Sequence, residues 1–241
     1  VAGRQYDLAR YRHVYVVGGG KASIPMAAAL SEILGDCLTA GHINSRRAGP
    51  PPVAALASDV SPLTPGSPVT VTEARHPLPD ASGVAGVARM AGLLRAATAD
   101  DLVFFVISGG GSALMTWPAP GISLDDKREV TRQLLSSGAT INEVNAVRKH
   151  ISQCKGGQLA QMAYPAEVIT LILSDVVGSP LDIIASGPTV ADSSTYEQAY
   201  RVLAERQLLA ATPPAVLARL DERRSGRLAE TPKAGDPVFK R

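Results

Sequence analysis

Aromatic side chains are scarce, at 4% of 241 residues, which argues against a surface that reads nucleic acid by base stacking. Cysteine is scarcer still. Cys37 and Cys154 stand far apart, without the CxxC spacing of a zinc site. They read as reduced, buried cysteines of a cytoplasmic protein. No apolar run approaches the ~20 residues of a spanning helix, and no signal peptide is expected. Neither charge sign dominates: 24 Lys and Arg against 22 Asp and Glu leave +2. Without a basic block, neither nucleic acid nor a membrane surface is an expected partner. The chain opens Val1-Ala2-Gly3 without methionine and closes in a Pro- and Gly-containing stretch. It is therefore expected to be a fragment, with one domain over 1–228 and the start of a linker over 229–241.

What the chain does have is 45% hydrophobic residues and 22 glycines, the composition of a soluble βα protein with glycine-rich loops. Val14-Tyr-Val-Val17 predicts a strand that ends at Gly18-Gly-Gly-Lys21, followed by an Ala-rich helix from Ala22 to Leu34. Residues 41–68, with Pro50-Pro51-Pro52, read as an irregular loop or insertion. Strands are predicted over Val69–Thr72, Leu102–Ile107 and Val168–Leu173, and helices over 82–97, 124–137, 142–162 and most of 194–222. Leu102-Val-Phe-Phe-Val-Ile107 is apolar throughout, as a parallel strand buried on both faces requires. The expected fold is α/β: a Rossmann-like, doubly wound, mainly parallel sheet with helices on both faces. Ligands of such sheets bind where the carboxyl ends of the strands meet.

Two glycine loops sit at such ends. In the first, Gly19, Gly20 and Lys21 offer bare N–H groups, a helix N-terminus and an ammonium, an arrangement suited to an anion and equally to a tight turn. It departs from the phosphate-loop template at Tyr15 and Ala22, and from the dinucleotide fingerprint at Ser23. In the second, Ser108, Gly109, Gly110, Gly111 and Ser112 let a ligand approach the backbone and supply two hydroxyls; a structural turn is the alternative. Ser112 as a hydrolase nucleophile fails the GxSxG pattern, because Leu114 stands where glycine is needed.

On the helix expected from Asn142, Val144, Val147, Ile151 and Cys154 form an apolar stripe. Asn145, Arg148, Ser152 and Lys155 form a polar one beside it. Gly156-Gly157 in mid-helix points to the close approach of another backbone. Asp175 reads as a Mg²⁺ ligand or a cap, and His76 as a site residue or a structural one.

Taken in order, VVGGGKA, EARHPLPD, ISGGGSAL, GATINEVNAVRKHIS, LILSDVVG and ASGPTVAD resemble the class II glycerate kinases, whose chains pair a DUF4147 domain with a MOFRL domain. The resemblance covers roughly residues 11–241. It implies ATP-dependent phosphorylation of D-glycerate, in most members to 2-phosphoglycerate, in a cleft between the two domains. It implies catalytic roles for Lys21 and Arg148 and a phosphate- or substrate-contacting role for the Ser108–Ser112 loop; Gly19, Gly20, Asn145, Lys155 and His76 join them as candidate phosphate or substrate contacts from the residue pattern itself. Asp175 is then the metal-site residue, with ATP and Mg²⁺ as cofactors. The implied partners are D-glycerate, ATP and the chain's own MOFRL domain, with room for a homodimer. Two departures stand out: Ser179 where many relatives carry Asp, and no TKYGH-like segment over 41–52. The alternatives are an oxidoreductase of the hydroxypyruvate reductase type, or a fragment that binds ligand without turnover.

Overall fold

The computed structural model describes residues 1, 3–47, 60–174, 178 and 180–240, apart from the side chains at 223 and 224. The strands are β1 (His13–Gly19), β2 (Leu38–Arg46), β3 (Val60–Pro62), β4 (Val69–Ala74), β5 (Asp101–Ser108) and β6 (Glu167–Leu173). They form one sheet in the order β3-β4-β2-β1-β5-β6, parallel except for the antiparallel edge strand β3. The chain runs outward one way from β1 through β2 to β4, then returns to place β5 on the other side of β1. The loops after β1 and β5 therefore diverge at the switch point of the sheet, the usual ligand position in this fold class.

Alternation along the central strands builds two cores. Tyr15, Val17, Phe105 and Ile107 face α2 (Ala81–Ala96) and α6 (Gln158–Ala163), where Val87, Met90, Leu94 and Leu159 are fully buried. Val14, Val16, Leu102, Phe104 and Val106 face α1 (Ser23–Leu34) through Ala27, Leu30 and Leu34. The doubly wound expectation holds.

A third apolar cluster lies off the sheet. It is shared by α4 (Leu124–Ser136), α5 (Ile141–His150), α7 (Tyr196–Glu205) and α8 (Pro214–Arg224), around Val130, Leu134, Val144, Val147, Leu203, Val216 and Leu220. Three of these helices start in capping boxes, Ser123/Asp126, Thr140/Glu143 and Thr195/Gln198, each satisfying two otherwise free N–H groups. A four-residue helix, α3 (Gly111–Leu114), follows β5.

Three expectations need correction. Residues 41–68 are not irregular throughout, because 41–46 belong to β2 and pair with both β1 and β4. Polar and small residues in Gly41-His-Ile-Asn-Ser-Arg46 hide this strand, whose buried His42 is satisfied by Thr70 and Thr72. The helix expected over 142–162 is broken between His150 and Gln158. Gly156 and Gly157 adopt φ of +58° and +80°, which no continuing helix allows. Their N–H groups instead donate to the carbonyls of Ser186 and Gly187 at 2.9 and 2.7 Å, so another backbone does approach there. Cys37 is exposed, and only Cys154 is buried. Among the described residues no helix is long and apolar enough to cross a membrane.

Candidate functional site

The two glycine loops pack against each other. At Gly18, φ is +147° and an added Cβ would lie 2.0 Å from the Val106 carbonyl oxygen, so only glycine fits. A Cβ on Gly20 would meet Ser108 Oγ at 2.2 Å, and one on Gly111 would meet Ala185 Cβ at 2.9 Å. The Lys21 N–H donates to the Gly109 carbonyl at 2.9 Å, and the Ala22 N–H donates to Ser108 Oγ at 2.9 Å. Loop-to-loop packing thus accounts for Gly20, Gly111 and the acceptor side of buried Ser108. The Lys21 side chain stays exposed. It borders a small recess of ≈ 190 Å³ with Gly109 and Ser174, and its Cγ lies 3.3 Å from the position of a Gly110 Cβ, beside His76. Burial, with the charges of Lys21 and Arg46, pushes His76 below the usual histidine range, so its ring is neutral near pH 7.

Next to this junction opens a cleft of ≈ 390 Å³. Its walls are the 76–79 loop, Gly110, Ser112 and Thr116 after β5, the Lys127 face of α4, and Arg148 and Lys155. Among the described residues lining it there is no carboxylate. Arg128 and Arg132 are paired with Asp125 and Glu129, which point away from the cleft lining. The Arg148 guanidinium has no partner among the described residues. Lys155 is 1% exposed and donates to the Met115 and Ala185 carbonyls, both at 3.2 Å. Lys127 is 3% exposed and donates to Ser152 Oγ and, at 3.5 Å, to the Ile151 carbonyl.

Burial pulls Lys127 down to about 7, helped by the charges of Lys155 and Arg148 and opposed by Cys154. Lys155 falls to about 8 through burial, with Cys154 opposing and Arg148 adding to the fall. Burial also lowers Arg148. Among the described residues these three buried or half-buried cations have no counter-ion, an arrangement suited to an anion.

A chain of small polar groups leads out of the cleft. Ser112 Oγ lies 3.2 Å from Ser186 Oγ, which donates to Asn145 Oδ1 at 2.9 Å. Ser112 is thus bonded to a hydroxyl and not to an imidazole, which leaves it without the base a nucleophile needs. Asn145 does not join Arg148 and Lys155. It lines a neighbouring pocket of ≈ 370 Å³, and its Nδ2 is buried without a partner. Ala185 and Ser186 hold left-handed φ of 52° and 61°, strain of the kind that marks functional loops. Lys149 and His150 on α5 face the other way. Lys149 Nζ donates to buried Asp192 at 3.1 Å, and His150 Nε2 lies 3.3 Å from Glu230. The segment expected as a linker therefore packs onto α5 over 230–233, with Thr231 donating to Asp192 and Lys233 to the Ser194 carbonyl.

Of the residues singled out in the sequence, His76, Gly110, Ser112, Arg148 and Lys155 share the cleft. Lys21, Ser108 and Gly109 share the adjoining recess, and Gly19 and Gly20 lie in the packed loop junction. Lys127, Thr116 and Ser186 were missed. Lys127 sits in the charged run Asp125-Asp-Lys-Arg128 at the start of α4, which reads as an ordinary solvated helix end. Asp175, the expected metal ligand, and Ser179 lie outside the described residues. The described residues do not fit a magnesium site in the cleft, because its charged side chains are all ammonium and guanidinium groups and its side-chain oxygens are neutral hydroxyls without a carboxylate.

The family described as domain of unknown function (DUF4147) matches residues 1–221. The chain is 45% identical over 206 residues to a glycerate kinase of Homo sapiens, covering 85% of this chain and 39% of that one. It is 44% identical over 200 residues to a putative hydroxypyruvate reductase of Agrobacterium vitis, covering 83% and 48%. The crystal structure of a protein from Pyrococcus horikoshii OT3 superposes with a TM-score of 0.84 at 39% identity, covering 97% of this chain and 49% of that one. The chain thus spans about half or less of the length of the relatives it matches.

Proposed function

Since the chain belongs to the DUF4147 family, we propose that it is the N-terminal, phosphate-binding part of a glycerate kinase. The whole protein moves the γ-phosphoryl group of ATP to D-glycerate and yields 2-phosphoglycerate. The observation that carries this reading is the cleft with Lys127, Arg148 and Lys155 and, among its described lining residues, no carboxylate. Phosphoryl transfer asks little covalent work of a protein and much positioning of positive charge. Arg148, at the cleft wall and without a partner among the described residues, presents its planar fork to the phosphoryl oxygens. Lys155, fixed by two carbonyls, neutralises charge from beneath. Exposed Lys21 guides the anionic substrate at the mouth, beside the neutral ring of His76.

Magnesium arrives with ATP in this reaction class. Inside the cleft the described residues give it no ligand, and charge neutralisation there falls to the three cations. A second, MOFRL-type domain closes the cleft from the far side. The greater length of the relatives supports this arrangement. Residues 1–228 form the α/β domain, 229–241 lead toward the second one, and the protein works in the cytoplasm, with a homodimer compatible with this layout.

The Agrobacterium relative's name supports a second reading, reduction of hydroxypyruvate by a nicotinamide cofactor. Against it, Ser23 stands where the fingerprint needs glycine or alanine, and its hydroxyl donates to the Gly20 and Asn44 carbonyls to pin the loop. The test incubates the full-length protein with ATP and D-glycerate, and separately with NADH and hydroxypyruvate. ATP-dependent phosphoglycerate is the expected product. Consumption of NADH without phosphoglycerate would overturn the kinase reading.

A further inference from the structure

Lys127 is a buried cation of the cleft with no counter-ion among the described residues. It rises from α4 beneath Arg148 and Lys155, and its protein partners are one hydroxyl and one carbonyl. An ammonium has three donors, and a fully buried one normally faces a carboxylate. Here no acid lies within ion-pair distance among the described residues. A second group in the same cleft is also unfinished: Thr116 Oγ1, on a fully buried residue, has no hydrogen-bond partner. Both features make sense if the missing partner is a ligand with several oxygens and negative charge.

We propose that Lys127 is a binding residue for a phosphoryl dianion, which supplies the counter-charge to its ammonium and the acceptor for Thr116. This deepens the reading above and rests on it, because the cleft must first receive a phosphoryl group.

A consequence follows for proton balance. The charged and titratable groups around Lys127 are Arg148 on α5, Cys154 and Lys155 in the following turn, His76 across the cleft, and Arg128 and Arg132 on its own helix. Burial favours the neutral amine most in the empty protein, Lys155 and Arg148 add to it, and Cys154 opposes it. A bound dianion reverses that preference. Above about pH 7, binding must therefore draw a proton onto Lys127, and affinity must fall with pH by up to ~10-fold per unit.

Sulfate is the cleanest probe, because it stays a dianion across this range while phosphate itself titrates. The experiment titrates the full-length protein with sulfate near pH 8 by calorimetry, in two buffers of different ionisation enthalpy. Inorganic phosphate, ATP and 2-phosphoglycerate follow as comparison ligands that separate the donor from the product. The wild type is expected to take up about one proton or more per sulfate bound, most of one at Lys127 and a smaller part at Lys155. Lys127→Met is expected to lose the larger part of the uptake and ~10-fold or more in affinity. Lys127→Arg, which keeps the charge and does not titrate, retains binding with only the smaller part of the uptake. Sulfate bound by the wild type with no uptake, or with uptake undiminished in Lys127→Met, overturns the role of Lys127 and points to Lys155, which also titrates near pH 8, for the latter. Binding of none of these anions, or binding unaltered by Arg148→Ala, overturns the phosphate-cleft reading itself.

Discussion

Replacing Lys127 with methionine is expected to stabilise the fold while it damages the site. The native protein keeps an ammonium at 3% exposure with no acid beside it among the described residues, and burial lowers it from an ordinary 10.5 to about 7. That is ~3.5 pH units, and at ~1.4 kcal/mol per unit the ceiling on the cost is about 5 kcal/mol. Methionine fills the space of the lysine stem and removes the charge. Ser152 Oγ keeps its bond to the Arg148 carbonyl at 2.7 Å and loses only an incoming donor, at about 1 kcal/mol. A net gain of about 2 kcal/mol is expected, which raises the midpoint of the transition that unfolds this domain by roughly 4–8 °C.

The pH dependence gives the reasoning its sharper test. The folded value lies below the unfolded one, so between about pH 7 and 10.5 the unfolded wild type holds more protons, and its stability rises with pH. Methionine's advantage is full at and below about pH 7 and fades as pH climbs toward 10.5. Thermal unfolding of both proteins near pH 6 and near pH 9 measures it. A variant that is less stable than wild type near pH 6, or a gap that does not change with pH, would refute the account of an uncompensated ammonium.

Three other outcomes are expected. Gly18→Ala places a Cβ 2.0 Å from the Val106 carbonyl oxygen at a φ of +147°, and should cost more than ~3 kcal/mol in denaturant unfolding; a loss under ~1 kcal/mol would contradict the packing described. Burial alone would raise Glu230, but His150, the Tyr196 N–H and the charge of Lys233 outweigh it and hold the carboxyl at about 2. Its stabilisation is therefore present above about pH 4.5 and lost as pH falls toward 2, so hydrogen exchange in 230–233 should quicken across that window, and Glu230→Gln should flatten the effect. Ser186→Ala removes the hydroxyl between Ser112 and Asn145 and leaves a second buried atom of Asn145 unpaired, at ~1–3 kcal/mol; unchanged stability would mean that the chain of hydroxyls is slack.

Much of this architecture is legible in the sequence. The continuous apolar run at 102–107, the glycines after it and the capping residues Ser123, Thr140 and Thr195 report β5, its loop and three helix starts directly, because each is a local rule. β2 escaped because its burial rests on His42, Asn44 and Ser45, polar residues satisfied by neighbours distant in sequence or packed beneath α2. Asn44 joins the Gly83 and Leu114 carbonyls across 39 and 70 residues, a role no local pattern encodes. The same holds within the cleft. Arg148 and Lys155 were found on the assumption of one continuous helix; they do meet, but through a break at Gly156-Gly157 that turns the chain. Lys127 gave no sign because its neighbours Asp125, Asp126 and Arg128 make it look solvated, and only the packing of α4 on α5 turns it inward. Three charged neighbours conceal the one that is buried.

The measurement that bears most directly on the central claim is kcat/KM for ATP-dependent phosphorylation of D-glycerate by the full-length protein, with and without Arg148→Ala. A guanidinium that meets the transferring phosphoryl group predicts a fall of ~10²–10³-fold, with the fold of the variant intact by circular dichroism. An Arg148→Ala protein that phosphorylates D-glycerate at the wild-type rate would contradict the account.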